Sequence, residues 1–313
     1  MSSKTLFVTG GTGYIGGALI EIALAKGYKV KALSRNESGD AKLSALGATP
    51  VRGDLTTTDV LTREAASSDA VINLASAYVF GQGKYEDALP IDNAAVDAFA
   101  EGLKGTNKAL ITTSGTLCAQ ADPNGGETDE DAPPEPSPLN VRIKAEQHAV
   151  AKGKETGVRV IVVRMSPYTY GRGGSGIARF LGMAKGMGGL PTVNGGKNRT
   201  TAVHVDDAIE LVLLAVEKGE GGDIFNAGSQ TEVTMGEMFD TINSSVGVPN
   251  KDISYEEALK AFGENIAWFL QAENRASGGK AVKKLGWEPK GVKVLDDIKT
   301  GSYVEVIKAI NAK

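Results

Sequence analysis

The stretch Thr9-Gly10-Gly11-Thr12-Gly13-Tyr14-Ile15-Gly16 decides how this chain is read. It follows Leu6-Phe7-Val8, an apolar run that reads as a buried strand, and it opens Tyr14 to Leu24, which reads as a helix. A strand that passes through three glycines into a helix N-terminus is a phosphate-binding device. Gly10 permits a tight turn, Gly13 lets backbone approach a pyrophosphate, and Gly16 lets helix and strand pack closely. The helix end adds free N–H groups and partial positive charge. The spacing is Gly-x-x-Gly-x-x-Gly rather than Gly-x-Gly-x-x-Gly, so the strand-to-helix context carries the reading. Gly10, Thr12, Gly13, Tyr14, Ile15 and Gly16 are the first candidate cofactor contacts.

Outward from there, strand-like and helix-like segments alternate to about Thr113, the pattern of an α/β protein with a doubly wound parallel sheet. Tyr28 to Leu33 reads as the second strand and ends in Ser34-Arg35-Asn36. An acidic residue at that place holds a ribose 2′-hydroxyl, whereas arginine suits a 2′-phosphate. No Asp or Glu stands there, so the expected cofactor is NADP(H) rather than NAD(H). Arg35 is its main contact, flanked by Ser34 and Asn36; an ordinary solvated arginine is the alternative. In Gly53-Asp54-Leu55, Asp54 is a candidate acceptor for the adenine amino group or a cap for the helix that begins near Thr57. The fourth strand, Ala70 to Leu74, runs into Ala75-Ser76-Ala77, residues small enough for a loop close to a cofactor. A long helical pattern spans Tyr85 to Gly105, and a fifth strand ends in Thr113-Ser114-Gly115.

Composition narrows the function. The 313 residues carry a net charge of −4, which gives no basic face for nucleic acid. No apolar run reaches the ~18 residues of a membrane span, and the N-terminus enters the first strand without room for a signal peptide. Cys118 is the only cysteine, and with His148 and His204 it forms no metal-ligand pattern. The expectation is a cytoplasmic, metal-free protein acting on a small molecule, as a monomer or homodimer.

Taken together, the motifs resemble those of an extended short-chain dehydrogenase/reductase of the epimerase/dehydratase type. They are the glycine stretch, Gly53-Asp54-Leu55, Thr113-Ser114-Gly115, Arg164-Met165-Ser166-Pro167-Tyr168-Thr169-Tyr170-Gly171, Ala202-Val203-His204-Val205-x-Asp207 and Leu285-Gly286-Trp287-Glu288-Pro289. The resemblance implies a Rossmann sheet with a smaller C-terminal substrate lobe, residues 1–165 mainly binding dinucleotide and 166–313 mainly forming the lobe, with returns to the core sheet. It also implies cofactor contacts at Leu55, Leu74, Ala75, Ser76 and Pro167.

In that family a serine or threonine, a tyrosine and a lysine four residues later pass a proton to the substrate oxygen while hydride moves to or from the nicotinamide. Ser114 matches the serine. The Tyr-x-x-x-Lys pair is absent: Ser137-Pro138-Leu139-Asn140-Val141-Arg142-Ile143-Lys144-Ala145-Glu146 occupies its place. One register puts Arg142 at the lysine position and Pro138 at the tyrosine position; the other pairs Asn140 with Lys144. Two residues rotate a helix by about 200°, so one of Arg142 and Lys144 points into the cleft. Arg142 is favoured, as in an atypical subgroup with a basic residue at the lysine position. Neither Pro138 nor Asn140 exchanges a proton near neutral pH. The candidate donors are therefore Tyr78, Tyr168 and Tyr170, each with the alternative of a wall residue. Three functions stay open: an NADP(H)-dependent oxidoreductase with an atypical site, an epimerase, dehydratase or isomerase without net cofactor turnover, and a non-catalytic dinucleotide sensor.

Overall fold

The alternating apolar runs assemble into a seven-stranded sheet, every pairing of which is parallel. The computed structural model describes residues 4–79 and 82–312. The N-terminal half runs β1 (Thr5–Thr9), α1 (Tyr14–Ala25), β2 (Lys29–Ser34), α2 (Glu37–Ala45), β3 (Thr49–Arg52), α3 (Thr58–Ala66) and β4 (Ala70–Asn73). Then come α4 (Tyr85–Leu103), β5 (Ala109–Gly115), α5 (Arg142–Thr156) and β6 (Arg159–Met165).

The rest of the chain alternates less regularly: β7 (Tyr168–Tyr170), α6 (Ser175–Met187), β8 (Pro191–Val193), β9 (Ala202–His204), α7 (Val205–Lys218), β10 (Ile224–Ala227) and α8 (Met235–Ser245). It closes with β11 (Lys251–Ile253), α9 (Tyr255–Phe262), α10 (Glu264–Gln271), α11 (Gly279–Leu285), α12 (Val294–Thr300) and α13 (Val304–Asn311). The strand order β10-β6-β5-β4-β1-β2-β3 reverses direction between β1 and β4. At such a switch point the connections leave to opposite sides and open a crevice at the carboxyl ends of the strands.

Strands buried on both faces need apolar residues at every position, and the period of two then sorts them. Leu6, Val8, Ile72 and Ile111 face one core with α1 and α7, while Phe7, Val71 and Leu110 face another with α3, α4 and α5. Phe7 packs edge-on to Phe99 of α4 at 6.2 Å. Each such side chain contributes about 1.5–3 kcal/mol of burial. A third core lies outside the sheet, where the parallel pairs β7–β9 and β8–β11 pack against α6, α8, α10 and α12. Trp287 belongs to the first core; its indole N–H donates to Asp207 O at 2.8 Å.

Candidate functional site

The turn between β1 and α1 is built to keep side chains out. Gly10 has φ +72°, and a Cβ there would lie 3.1 Å from the backbone of Leu74 and Ala75, the segment leaving β4. Gly16 meets Gly10: a Cβ on it would overlap the Gly10 carbonyl and stand 2.8 Å from Gly11 Cα. Gly13 is exposed and is the N-cap of α1, with no side chain capping that end. No side chain among the described residues caps the first amides of α1, and a side-chain-free helix N-terminus of this kind fits a dinucleotide pyrophosphate. Thr12, Tyr14 and Ile15 are half-buried around it. Tyr14 turns its hydroxyl to Gly171 O at 2.8 Å, tying the cradle to the C-terminal lobe.

At the carboxyl ends of β2 and β3 the charges are mixed. Arg35 is exposed, and the charge it faces is Asp54, whose carboxyl is held below its usual range first by Thr56 and also by Arg35. Asp54 accepts from Thr56 N at 2.8 Å and Thr56 Oγ1 at 2.6 Å, an Asx turn ahead of α3. Leu55 is buried behind it. Asn36 caps α2 by accepting from Gly39 N at 2.8 Å, and Ser34 is buried with its hydroxyl on Asn36 O at 3.0 Å. Those two side chains are thus engaged in the local turn rather than free to take a ligand. Lys42, which sequence reasoning missed, donates from α2 to Thr12 O at 2.6 Å and adds a second cation at the rim. Arg52 is paired with Asp40.

At the far end, β4 delivers Leu74, Ala75 and Ser76. The Ser76 hydroxyl and the Ala77 N–H both donate to the buried Asp92 of α4 at 2.7 Å, which pins this loop. β5 delivers Ser114, buried with its hydroxyl 3.5 Å from Cys118 Sγ. α5 begins at Arg142, whose N–H donates to Asn140 Oδ1 at 2.9 Å. Of the two registers left open, Arg142 turns inward and Lys144 is exposed. The Arg142 Nε is buried without a protein partner among the described residues, as is Asn93 Oδ1 on α4. A buried guanidinium donor left unpaired is costly, so its place is suited to an acceptor from a bound molecule. Glu146, one turn on, is spent on Arg164 through two hydrogen bonds of 2.7 and 3.0 Å.

The expectation that Tyr168 or Tyr170 supplies a proton is corrected by their positions. Tyr168 is buried in the third core against Phe180 and Phe269, its hydroxyl 3.2 Å from Met235 Sδ, and burial pushes that hydroxyl far up. Tyr170 is fully enclosed; its hydroxyl is held between Val292 O and Gln230 Nε2, and burial raises it too. Their strand is short and both faces are covered, which the sequence of three residues does not reveal. Pro167, just before it, is half-buried. Tyr78 lies on the loop after β4, half-buried, its ring 5.1 Å from that of Tyr85. His204 caps α7 by accepting from Asp206 N. The acidic run Glu127 to Asp131 is not wholly solvated: Glu130 is buried and accepts from Asn226 N at 2.7 Å. That run borders a groove of about 720 Å³ whose lining, including Lys280 and Lys284, shares nothing with the glycine turn. A smaller cavity of about 190 Å³ beyond β5 is lined by Leu117, Glu135 and the half-buried Trp268. Among the described residues no helix is long and apolar enough to cross a membrane, and no cluster of His, Cys, Asp and Glu could hold a metal.

A family profile described as the NAD dependent epimerase/dehydratase family matches residues 6–228. An uncharacterised protein of Schizosaccharomyces pombe is 31% identical over 299 residues, covering 95% of this chain and 99% of that protein. A sterol-4-alpha-carboxylate 3-dehydrogenase, decarboxylating, of Dictyostelium discoideum is 29% identical, covering 71% of this chain and 70% of that enzyme. Among solved structures, dTDP-glucose 4,6-dehydratase from Streptomyces venezuelae with NAD bound superposes with a TM-score of 0.77 at 21% identity, covering 97% of each chain. The glycine cradle, the parallel sheet and the extent of the profile match agree: this chain belongs to the NAD-dependent epimerase/dehydratase family.

Proposed function

We propose that this chain is an NADP(H)-dependent oxidoreductase acting on a carbonyl or alcohol of a small organic molecule, as a cytoplasmic monomer or homodimer. The observation that carries this reading is Arg142, whose buried Nε has no partner among the described residues at the start of α5, while Lys144 is exposed. Its cation stands where a nicotinamide ribose or a substrate oxygen would take a hydrogen bond. Ser114 orients the substrate oxygen from the end of β5. The glycine turn holds the pyrophosphate, and Arg35 with Lys42 favours a 2′-phosphate at the other end of the crevice. When bound, the nucleotide supplies or accepts hydride. The protein's own residues supply orientation, a charge near the developing oxyanion, and a proton.

The test is a fluorescence titration of NADPH and NADH. NADPH should bind more tightly, and Arg35→Glu should weaken it about 10- to 100-fold by losing a charge-assisted contact worth roughly 1.5–3 kcal/mol. NADH affinity should change little. Binding of neither nucleotide by the unaltered protein overturns the reading.

A further inference from the structure

The cavity of about 190 Å³ beyond β5 is walled by two distant stretches of chain. Leu117, Ala119 and Ala121 line it from the segment leaving β5, and Trp268 and Ala272 line it from α10 and the residue after it. Leu117 and Ala119 flank Cys118, whose Sγ lies 3.5 Å from the Ser114 hydroxyl, so the first wall starts just past that serine. The buried Thr116 hydroxyl donates to Asn274 Oδ1 at 2.9 Å and fastens one wall to the other. Trp268 is half-buried and belongs to none of the three cores. Among the described residues its indole N–H has no hydrogen bond, unlike that of the core Trp287. A tryptophan ring so placed is open to a ligand. We infer that this cavity receives the non-reacting part of the substrate, a small apolar ring that bears a cationic amine. Its role for a substrate rests on the oxidoreductase reading; its selectivity does not.

Size and charge set the class. A cavity of about 150 Å³ is enough for benzene, whereas drug-sized ligands take roughly 300–1,000 Å³. About 190 Å³ therefore suits one ring with a short substituent and is too small for a nucleoside diphosphate. The charged residues of the lining are Glu135 and Glu273, with no Lys or Arg among them. Glu273 is fully engaged, accepting from the Arg199 Nε at 2.9 Å and the Arg199 backbone N–H at 2.8 Å. Glu135 accepts from Ser137 N at 3.1 Å through Oε1, and its Oε2 takes no hydrogen bond from the described residues. The backbone that carries it is held: Glu135 N donates to Cys118 O at 2.9 Å and Gln120 N to Pro133 O at 2.8 Å. Pro134 and Pro136 restrict φ on either side. A positioned carboxylate and an aromatic ring thus share one small cavity. Both attract a cation, and both disfavour a phosphate or a carboxylate.

Binding is measured first, by calorimetry without nucleotide, with N,N-dimethylbenzylamine and benzoate as probes. The amine should bind about 10-fold more tightly, since one carboxylate attracts it and repels benzoate. Glu135→Gln should weaken the amine about 5-fold and leave benzoate no weaker. Ala121→Phe, which fills the cavity, should abolish amine binding in a protein that still melts cooperatively; where it fails to fold, Glu135→Gln on the rim still scores the charge. Binding of neither probe, or of both equally, overturns the inference. An unaltered amine affinity in Glu135→Gln overturns the cationic class, and in Ala121→Phe it overturns the cavity. Turnover is then followed as NADPH oxidation with 4-(dimethylaminomethyl)benzaldehyde against 4-carboxybenzaldehyde. The amine should be favoured about 10-fold or more in kcat/KM. Equal turnover of the two aldehydes overturns the substrate role while the oxidoreductase reading survives. Selective amine binding with no turnover of either tells against that reading instead, and the selectivity of the cavity stands.

Discussion

Adjacent glycines at the start of α1 should respond in opposite directions to the same methyl group. In Gly16→Ala the new Cβ would overlap the Gly10 carbonyl oxygen and lie 2.7 Å from its carbon and 2.8 Å from Gly11 Cα. Carbon atoms prefer about 3.5–4.0 Å, so helix and turn must separate by roughly 1 Å. The neighbours are backbone and cannot rotate away. Overpacking of this kind costs about 1–3 kcal/mol of stability. The same displacement stretches hydrogen bonds from the first amides of α1 to a bound phosphate from about 2.9 to about 3.9 Å, beyond useful range. Two charge-assisted bonds at roughly 1.5–3 kcal/mol each amount to at least a 100-fold loss of NADPH affinity.

Gly17→Ala is the control, because its Cβ would find nothing nearer than Leu46 Cδ1 at 3.8 Å. Replacing glycine inside a helix should add up to about 1 kcal/mol and raise Tm by about 2 °C. The assay is a thermal melt and an NADPH titration of both variants beside the unaltered protein. If Gly16→Ala melts and binds as Gly17→Ala does, the close approach of turn and helix is not what shapes the cradle.

Two further expectations concern stability. Glu146 and Arg164 are a buried ion pair with side chains 3% and 5% exposed, so Glu146→Gln strands a buried guanidinium and should cost about 3–5 kcal/mol in urea unfolding; a cost near zero would mean that water reaches the arginine. Burial opposes the charge of Asp223, but Lys284, the Glu220 N–H and Lys280 outweigh it and hold its carboxyl below the usual range. A lowered folded value contributes stability above the unfolded value of about 3.9 and loses it as pH falls through the folded one. Asp223→Asn should therefore flatten the acid limb of a stability–pH curve, and an unchanged acid limb would show that the lysines do not act on it.

Much of the fold was legible because its signals are local. The apolar runs at Leu6, Ile72, Ile111 and Val160 mark strands whatever the rest of the chain does. The glycine spacing marks its turn because only glycine tolerates φ +72° and the approach of Leu74 and Ala75 at those positions. The second half was less legible. β7, β8 and β9 have three residues each, too few for a period, and they pair outside the main sheet. Tyr168 and Tyr170 therefore looked like cleft residues in the sequence, although packing on both sides makes them core.

The sequence by itself determined the parallel sheet, the phosphate turn and the absence of the Tyr-x-x-x-Lys pair, since each rests on residues adjacent in the chain. The tertiary structure alone decided that Arg142 turns inward while Lys144 faces solvent, because the phase of α5 depends on where Asn140 starts it. It alone brought the Tyr14 hydroxyl to Gly171 O and Glu146 to Arg164. Tyr14 and Gly171 stand 157 positions apart, and no spacing along the chain records which distant groups packing brings within hydrogen-bond reach.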